Sequence, residues 1–425
     1  MDSSHRADLA PPVHASSADP SWPLALLVAF RFCVCFFAIA TLYLAVGHAS
    51  ALVFFNSDHP VGNAVTDAMF VPTLWATQRL FGSGIVYATV AGFIAYMCTY
   101  LIGACVATIV WSLIDRRRAH YQRAHAGLRI YLRYLLAAVA LTYGAVKVIP
   151  VQFAPPSLVA LITPLGEFTR MRVLWHSMGT STAYVVFTGL VEVAGALLLF
   201  SRRTTTLGAL VLAAAFTNVV VLNFGYEVGV QLNATVYVLM ALVLLAPDAR
   251  RLANAFVLNK DVAPADLRLS ASGAGRRGLG RLAKALVIVL LLVVHFREAY
   301  VEHSRRLRLP ALYGIWDVEE FARDGVPVSP GDRARWHRLV VAERGAAAIQ
   351  WTAGGLVNPY NMSDDPVSGV LTLTAIRGKS PVVTLRYTRE ADDRLQVSGR
   401  VGEDVVQGRL RAMDLTQFPL RRPRR

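Results

Sequence analysis

The chain has 425 residues, of which 55% are hydrophobic and 17% are charged, and its net charge is +15. This composition is too apolar for an ordinary soluble domain and is typical of several membrane spans joined to a soluble part. The basic residues stand in short clusters between apolar runs, as the positive-inside rule produces, and not on one face or arm as in a nucleic-acid binder. We therefore expect a lipid bilayer, and no nucleic acid, as a partner.

The N-terminal tail, residues 1–21, is rich in Ser, Ala and Pro and is predicted to be disordered. Residues 22–127 hold two apolar runs, each long enough to cross a hydrocarbon core about 30 Å thick. We predict spans at 24–46 and 85–114, with a mixed loop at 49–83 between them.

Residues 128–247 hold four further apolar runs and are predicted to form a four-helix membrane bundle. The four spans are expected at 130–149, 183–200, 207–224 and 228–246. The loop at 150–182 carries apolar residues at helical spacing, which predicts a short helix on the surface.

Residues 248–281 are basic and rich in Gly and Ser, which is typical of a linker. Residues 282–300 are a weaker seventh span, which is short unless Lys284 snorkels to the membrane surface.

The pattern changes in residues 310–425. Short segments with β-branched residues alternate with turn clusters such as Asn358-Pro359 and Asp364-Asp365-Pro366. Regularly spaced short strands predict a small antiparallel β-barrel or sandwich. The strands are expected at 313–318, 336–342, 347–351, 370–376, 382–387, 395–401 and 405–410. The predicted fold class is an α-helical integral membrane bundle of about seven spans, followed by this β-domain.

The basic loops predict the orientation. Those after spans two, four and six are expected in the cytoplasm, together with the N-terminus, which leaves the β-domain outside. Arg305, Arg306 and Arg308 lie just beyond span seven and argue against this orientation. Three basic loops outweigh that one cluster.

Two charged residues stand inside the apolar runs. Lys147 is near the end of the third predicted span, and Glu192 is in the middle of the fourth. A charge in hydrocarbon is costly and usually faces a partner or a cavity. At 1.5 Å per residue, Glu192 lies about 14 Å and Lys147 about 3 Å from the outer ends of their spans, so a direct pair is only just within reach.

For Lys147 the alternatives are a polar contact in a cavity and snorkelling to the outer headgroups. For Glu192 they are a ligand- or proton-linked role and a structural carboxyl, either protonated or hydrogen-bonded. Thr188 shares a helix face with Glu192, and Tyr143 lies one turn before Lys147, so both are predicted to border the same cavity.

Three further polar residues are ligand-binding candidates, each with a structural alternative. Asn218 in the fifth span contacts a ligand or makes interhelical hydrogen bonds, the commoner role for such amides. His176 in the 150–182 loop is a proton carrier, a metal ligand or neither. Arg31 in the first span reaches the inner headgroups or pairs with a carboxylate. The same structural alternative holds for the other amides of spans five and six, Asn223, Gln231 and Asn233.

Catalytic motifs give no further guidance. The chain contains no H-E-x-x-H, G-x-S-x-G or P-loop pattern, and its four cysteines form no C-x-x-C. A metal site and a thiol–disulfide relay therefore lack support.

Residues from about 128 to 247 resemble the DoxX-like family of bacterial four-helix membrane proteins. The resemblance rests on LRY at 132–134 leading to YGAVK at 143–147, on GLVEVAG at 189–195, and on RRTTTLG at 202–208. They match the family's Arg…Gly-x-x-Lys first helix, its Glu-x-x-Gly second helix and its following turn. The resemblance implies a bacterial inner-membrane protein with a quinone-facing cavity, and some members are membrane subunits of thiosulfate:quinone oxidoreductases.

The β-domain carries a shorter resemblance. Gly314-Ile315-Trp316 at its first strand is similar to the G-x-W start of lipocalin-like barrels.

Two functional hypotheses follow. The first is a quinone-linked redox subunit that works with other membrane subunits, with Glu192 as proton acceptor and Lys147 in contact with a quinone carbonyl. The second is a non-catalytic membrane scaffold or ligand-binding protein that acts through its outer β-domain.

Overall fold

The structure is a computed structural model, and it describes most of the chain. The predicted disordered tail and part of the predicted linker, residues 263 and 265–273, lie outside the described residues. Those residues are 21–54, 56, 58–262, 264, 274–333, 335–351, 357–376 and 381–421.

The described helices form the bundle that the composition predicts. They are α1 Leu24–Phe54, α2 Pro60–Phe81, α3 Val90–Ile114, α4 Gln122–Val148, α5 Leu158–Ile162, α6 Arg170–Gly179, α7 Thr182–Leu199, α8 Thr205–Gly225, α9 Gln231–Leu245, α10 Ala249–Phe256 and α11 Ala274–Arg306.

Six described stretches are long and apolar enough to cross a bilayer: α1, α3, α4, α7, α8, and the run from α9 through α10. The predicted fold class of an α-helical integral membrane bundle is thus confirmed. The predicted seventh span falls within α11, which is not among these six, although its 33 residues exceed the length that a span needs.

The two ends of the bundle can be told apart by their contacts. The Trp22 N–H donates to the Ala119 carbonyl over 2.8 Å, so the start of α1 lies beside the end of α3. At the same end, Thr206 at the start of α8 donates to Asp248 after α9 over 2.6 Å. The arginine-rich turns at 116–118, 202–203 and 250–251 belong to this end, which we call the basic end.

The mixed loop predicted at 49–83 is wrong, because most of it is the 22-residue helix α2. Pro60 occupies its first turn, where a missing N–H costs nothing, although Pro72 lies inside the helix. Gly62 of α2 lies against Ser50, and the Phe70 ring lies 5.4 Å from that of Tyr43, so α2 runs back along the end of α1.

The structure also corrects the start of α3 and the linker. The α3 helix begins at Val90, five residues after the predicted start, and the Thr89 side chain caps it by accepting from the Gly92 N–H over 3.0 Å. Both ends of the predicted linker are helical, because α10 lies at its start and α11 begins at Ala274, eight residues before the predicted span.

The C-terminal domain is a closed antiparallel β-barrel. Eight strands follow one another around it in the order β1, β3, β4, β5, β6, β7, β8 and β9, and β9 pairs with β1 to close it. The short β2 pairs with the end of β1. The strands are β1 Gly314–Arg323, β2 Val326–Pro327, β3 Arg338–Val341, β4 Ala346–Gln350, β5 Val357–Asp365, β6 Val370–Ala375, β7 Val383–Ala391, β8 Arg394–Val401 and β9 Asp404–Ala412.

All seven predicted strands are present, so the predicted antiparallel β-domain is confirmed. The turn predicted at Asn358-Pro359 is wrong, because it lies within β5. The turn predicted at Asp364-Asp365-Pro366 is present but begins at Pro366, where the Asp365 carboxylate at the end of β5 accepts from the Val367 and Ser368 N–H groups. The polar composition of β5 does not suggest a strand, but one of its faces points into the barrel, where Tyr360 is 1% exposed. The likeness to lipocalin-like barrels stays a prediction, although Trp316 is buried and donates to the Leu312 carbonyl over 2.9 Å.

The barrel docks on the end of the bundle opposite the basic end. The short helix predicted in the 150–182 loop is present as α5, but it is not a free surface helix. Leu158 is fully buried in one apolar cluster with Ile315, Val340 and Ala348 of the barrel. Arg306 at the end of α11 donates to the Val151 carbonyl in the same loop. We call this the barrel end; α4 ends there and α7 begins there.

Candidate functional site

The site starts from an unusually close approach of α4 and α7. A Cβ atom built on Gly144 would lie 2.7 Å from Val193 Cγ2 and 3.1 Å from the Gly189 carbonyl oxygen. Glycines on both helices therefore let the two backbones touch, as small residues do in membrane helix pairs. The contact places the side chains one turn away, Lys147 and Glu192, directly against each other.

Lys147 and Glu192 form a buried ion pair. The Lys147 ammonium donates to Oε1 of Glu192, and the two residues are 6% and 2% exposed. Of the two alternatives for Lys147, snorkelling to the headgroups is thus wrong. The helix rise made the pair barely reachable only on the assumption that both spans end at the same level. In the structure the end of α4 lies beside Gly189, seven residues after the start of α7, so Lys147 is one turn from Glu192.

The pair lies on the wall of a cavity of about 240 Å³. Its walls come from α4, α7, α8 and α9, with α6 and the loop before it closing one side. Phe153 and Trp175, with ring centroids 5.1 Å apart, form part of this closure. Tyr184 and Phe187 of α7 also line the cavity and are 49% and 60% exposed on the outside of the bundle. The cavity therefore reaches the surface that lipid covers in a membrane.

Three buried polar atoms on cavity-lining residues have no hydrogen-bond partner within the described part of the chain. They are Oε2 of Glu192, Nδ2 of Asn223 and Oε1 of Gln152. Asn223 is 4% exposed, and its backbone carbonyl accepts from Gln231 over 3.3 Å, while its side-chain Nδ2 has no partner in the described residues. Buried polar groups are normally paired, so these atoms mark positions where a ligand can bind.

Aromatic rings cover another wall. The Lys147 ammonium lies 5.8 Å from the ring centroid of Tyr143. The Tyr143 and Tyr237 centroids are 6.1 Å apart, and those of Tyr237 and Phe216 are 5.4 Å apart. The planes of these two ring pairs are tilted by 54° and 57°. Aromatic side chains beside a few polar groups are the usual lining of a small-molecule site.

Five of the seven predicted site residues meet at this cavity. They are Tyr143, Lys147, Thr188, Glu192 and Asn218. The Thr188 hydroxyl already donates to the Val185 carbonyl over 2.8 Å.

Some cavity residues were not picked out by the sequence. Asn223 was noted only as an interhelical amide, while Gln152, Trp175 and Tyr237 were not predicted. An aromatic residue inside an apolar span gives no signal that separates a cavity wall from a packing contact.

Arg31 lies elsewhere, near the basic end of α1. It is 3% exposed and donates to the Tyr121 hydroxyl over 3.1 Å, to Ser112 Oγ over 3.0 Å and to the Asp115 carbonyl over 2.6 Å. The Asp115 carboxylate instead accepts from Tyr121 over 2.7 Å. Arg31 therefore neither reaches the headgroups nor pairs with a carboxylate. Its hydrogen bonds connect α1 to the end of α3 and the α3–α4 loop.

His176 lies on α6, beside the cavity but not among its lining residues. Its ring centroid is 5.1 Å from that of Phe168. Burial and the nearby Arg172 guanidinium lower the pKa of His176 from its ordinary value. Within the described residues, no group of three or more His, Cys, Asp and Glu side chains is placed to hold a metal ion.

These features define an α-helical integral membrane protein with a buried ion pair at a cavity and a C-terminal β-barrel. No model of a known protein family and no solved structure matches the chain. It is similar to the uncharacterized protein YwoB of Bacillus subtilis (strain 168), with 32% identity over 127 residues. The alignment covers 79% of that protein and 29% of this chain, and the chain belongs to the family of YwoB.

Proposed function

We propose that this protein is a DoxX-like quinone-binding subunit of the bacterial inner membrane. The observation that carries the proposal is the buried Lys147–Glu192 pair on the wall of a cavity that is lined by aromatic rings. An ionisable residue inside a membrane is a functional candidate by default, because it costs free energy to keep there.

The size and lining of the cavity support a single ring as the ligand. Its volume of about 240 Å³ is below the range of roughly 300–1,000 Å³ that drug-sized ligands occupy. Tyr143 and Tyr237 offer faces against which a flat ring packs. The exposed Tyr184 and Phe187 leave a route from the lipid, through which a quinone tail extends into the bilayer.

The pair has a distinct role for each member. When a quinol is oxidised to a quinone, it loses two electrons and two protons. Glu192 accepts one of these protons, and the Lys147 ammonium donates a hydrogen bond to a ring oxygen. The second proton leaves to water, and the electrons pass to a redox partner subunit, which supplies or removes them according to the direction of the reaction.

The positive-inside rule supports the orientation predicted from the sequence. The three arginine-rich turns belong to the basic end, which we place in the cytoplasm together with the N-terminus. The barrel docks at the other end, through Leu158, and is therefore placed outside. Arg306, which argued against this placement, is accounted for by its hydrogen bond to Val151 and its ion pair with Glu302.

A second candidate function rests on the barrel. The Trp336 and Trp351 indole N–H groups are buried there without a hydrogen-bond partner in the described residues. Their rings are 6.2 Å apart. Two unpaired donors inside a closed barrel favour a ligand-binding domain that the helical bundle anchors in the membrane. In this function the bundle catalyses no reaction.

Purification separates the two candidates. The full-length protein is extracted in mild detergent, and the bound lipids are analysed for quinone by absorbance and mass spectrometry. We expect quinone in near-stoichiometric amount with the wild type and much less with Lys147→Met, which removes the donor to the ring oxygen. Arg170→Met is the matched control, because Arg170 pairs with Glu227 on the surface, where its side chain is 69% exposed. Quinone absent from the wild type, and not restored by adding it, would favour the barrel as the functional part.

A further inference from the structure

The unpaired polar atoms of the cavity indicate which hydrogen-bonding groups its ligand carries. Each buried donor needs an acceptor from a ligand, and each buried acceptor needs a donor. The pattern of donors and acceptors therefore distinguishes ligands of the same shape. This inference rests on the proposed binding of a quinone-type ring and asks which oxidation state the cavity prefers.

Glu192 presents an acceptor to the cavity. Its Oε1 holds the Lys147 ammonium, while its Oε2 is buried and has no partner among the described residues. A carboxylate oxygen cannot donate. The ligand atom beside Oε2 must therefore carry a hydrogen, as a hydroxyl group does.

Asn223 presents a donor at another point of the cavity. Its Nδ2 is buried and has no partner in the described chain. Glu192 lies ten residues after the start of α7, and Asn223 lies two residues before the end of α8. Both of these helix termini are at the barrel end, so the two Cα atoms are offset by about 12 Å along the helix axes.

The two side chains point towards each other across that offset. Side chains lean towards the N-terminus of their own helix, and α7 and α8 run in opposite directions. Glu192 therefore leans towards the barrel end and Asn223 leans towards the basic end. A ring with an oxygen at each end fits between them.

We infer that the cavity binds the reduced ring, a hydroquinone, in preference to the quinone. One hydroxyl donates to Oε2 of Glu192 while its oxygen accepts from the Lys147 ammonium, and the oxygen at the other end accepts from Nδ2 of Asn223. A quinone oxygen can also accept from Lys147, but it has no hydrogen to donate, so it leaves Oε2 unpaired and faces the lone pairs of that oxygen. Preferential binding of the reduced form raises the midpoint potential of the bound two-electron couple, by about 30 mV for each tenfold preference.

The test compares three ligands that share a ring: a short-tailed benzoquinone, its hydroquinone and the dimethyl ether of that hydroquinone. Full-length protein in detergent is titrated without oxygen, and binding is followed by tryptophan fluorescence, since Trp175 lines the cavity. We expect the hydroquinone to bind at least tenfold more tightly than the other two, which cannot donate.

Two variants test the Glu192 contact and the Asn223 contact separately. Glu192→Gln offers N–H donors to the same position, so the preference for the hydroquinone should fall towards one. Asn223→Leu removes a donor that both oxidation states use, so it should weaken both about equally and leave the preference unchanged. Thr235→Val in α9 is the control, because the Thr235 hydroxyl donates to the Gln231 carbonyl over 2.8 Å and Thr235 is not among the residues that line the cavity.

The outcomes separate this inference from the proposed function. Equal affinity of the wild type for all three ligands would overturn the preference for the reduced ring and leave ring binding intact. No saturable binding of any ligand would overturn both. The comparison of the three ligands with the wild type decides the question even if a variant does not fold.

Discussion

Gly189 of α7 lies directly against Lys147 of α4. A Cβ atom at Gly189 would be 2.7 Å from the Lys147 Cβ atom, and 2.8 Å from both the Gly144 carbonyl oxygen and the Val148 amide nitrogen. Two of these three neighbours are backbone atoms, which cannot rotate away. The absence of a side chain at Gly189 therefore sets the distance between α4 and α7, and with it the Lys147–Glu192 contact.

Substituting this glycine should separate the two helices. We expect Gly189→Ala to lower stability by about 1–3 kcal/mol, because overpacking forces a backbone shift. It should also weaken ligand binding by displacing Glu192. Gly127→Ala in α4 is the control, because a Cβ atom there meets nothing within 4 Å. Thermal unfolding in detergent gives the melting temperatures of both variants. A melting temperature of Gly189→Ala equal to that of Gly127→Ala would contradict the close packing.

The ion pair should behave as one coupled unit. Removing one partner of a buried pair leaves an uncompensated charge, which costs roughly 3–5 kcal/mol. Lys147→Met and Glu192→Gln are each expected to destabilise the protein, and the double variant should lose less than the sum of the two. The exposed Arg170–Glu227 pair serves as the reference cycle, with a coupling of about 1 kcal/mol or less. Additive effects of Lys147→Met and Glu192→Gln would mean that the pair is not coupled.

His176 should affect acid stability but not the ligand. Because its pKa in the folded protein is lowered by burial and Arg172, folding favours the neutral imidazole. Its contribution to stability is therefore complete above the unfolded pKa of about 6.5 and is lost as the pH falls towards the lower folded pKa. We expect His176→Gln to reduce the loss of melting temperature between pH 7 and pH 5 while ligand affinity stays unchanged. A tenfold loss of affinity would instead place His176 in the site.

The topology is tested by reporter fusions in full-length protein. A fusion at Lys260, between α10 and α11, and one at the C-terminus should report opposite sides of the membrane. The physical reason is that α11 is 33 residues long and joins the basic end to the barrel. If both fusions report the cytoplasm, α11 does not cross and the barrel is inside the cell.

The barrel should fold without the bundle. It has its own apolar interior, built around Trp316, Trp336 and Tyr360, and the β1–β9 pairing closes it. A fragment covering residues 310–425 is expected to be soluble and to give a strand-rich circular dichroism spectrum. An unfolded or helical spectrum would contradict an independent domain.

The sequence was most informative where a residue broke a local pattern. Lys147 and Glu192 stand out because charge is rare inside an apolar run, and alternating β-branched residues predicted the barrel strands. Residues that agree with their surroundings gave no such signal. Tyr237 is an aromatic residue among many in the apolar spans, so its position on a cavity wall could not be predicted. The Asn and Asp residues of β5 break the apolar alternation that predicts a strand, so β5 was missed.

Helix packing was the other limit. The rise along a helix gives the depth of Lys147 and Glu192 from the end of each one's own span. It does not give the shift of α4 along α7, which places Lys147 beside Gly189, or how closely the two helices approach. That approach is set by Gly144 and Gly189 together, which are 45 residues apart in the chain. The path of α2 was also hidden, because it depends on where α1 ends and α3 begins in space.

Photoaffinity labelling tests the central claim, that a quinone ring occupies the cavity beside Lys147 and Glu192. The full-length protein in membranes is labelled with an azido-quinone, and the modified peptides are identified by mass spectrometry. We predict labels on peptides from α7 and α8 that include residues 184–192 or 215–223, and their loss when an excess of unlabelled quinone is present. Labels confined to the barrel or to lipid-facing residues of α1 and α3, or labelling that excess quinone does not reduce, would contradict the claim.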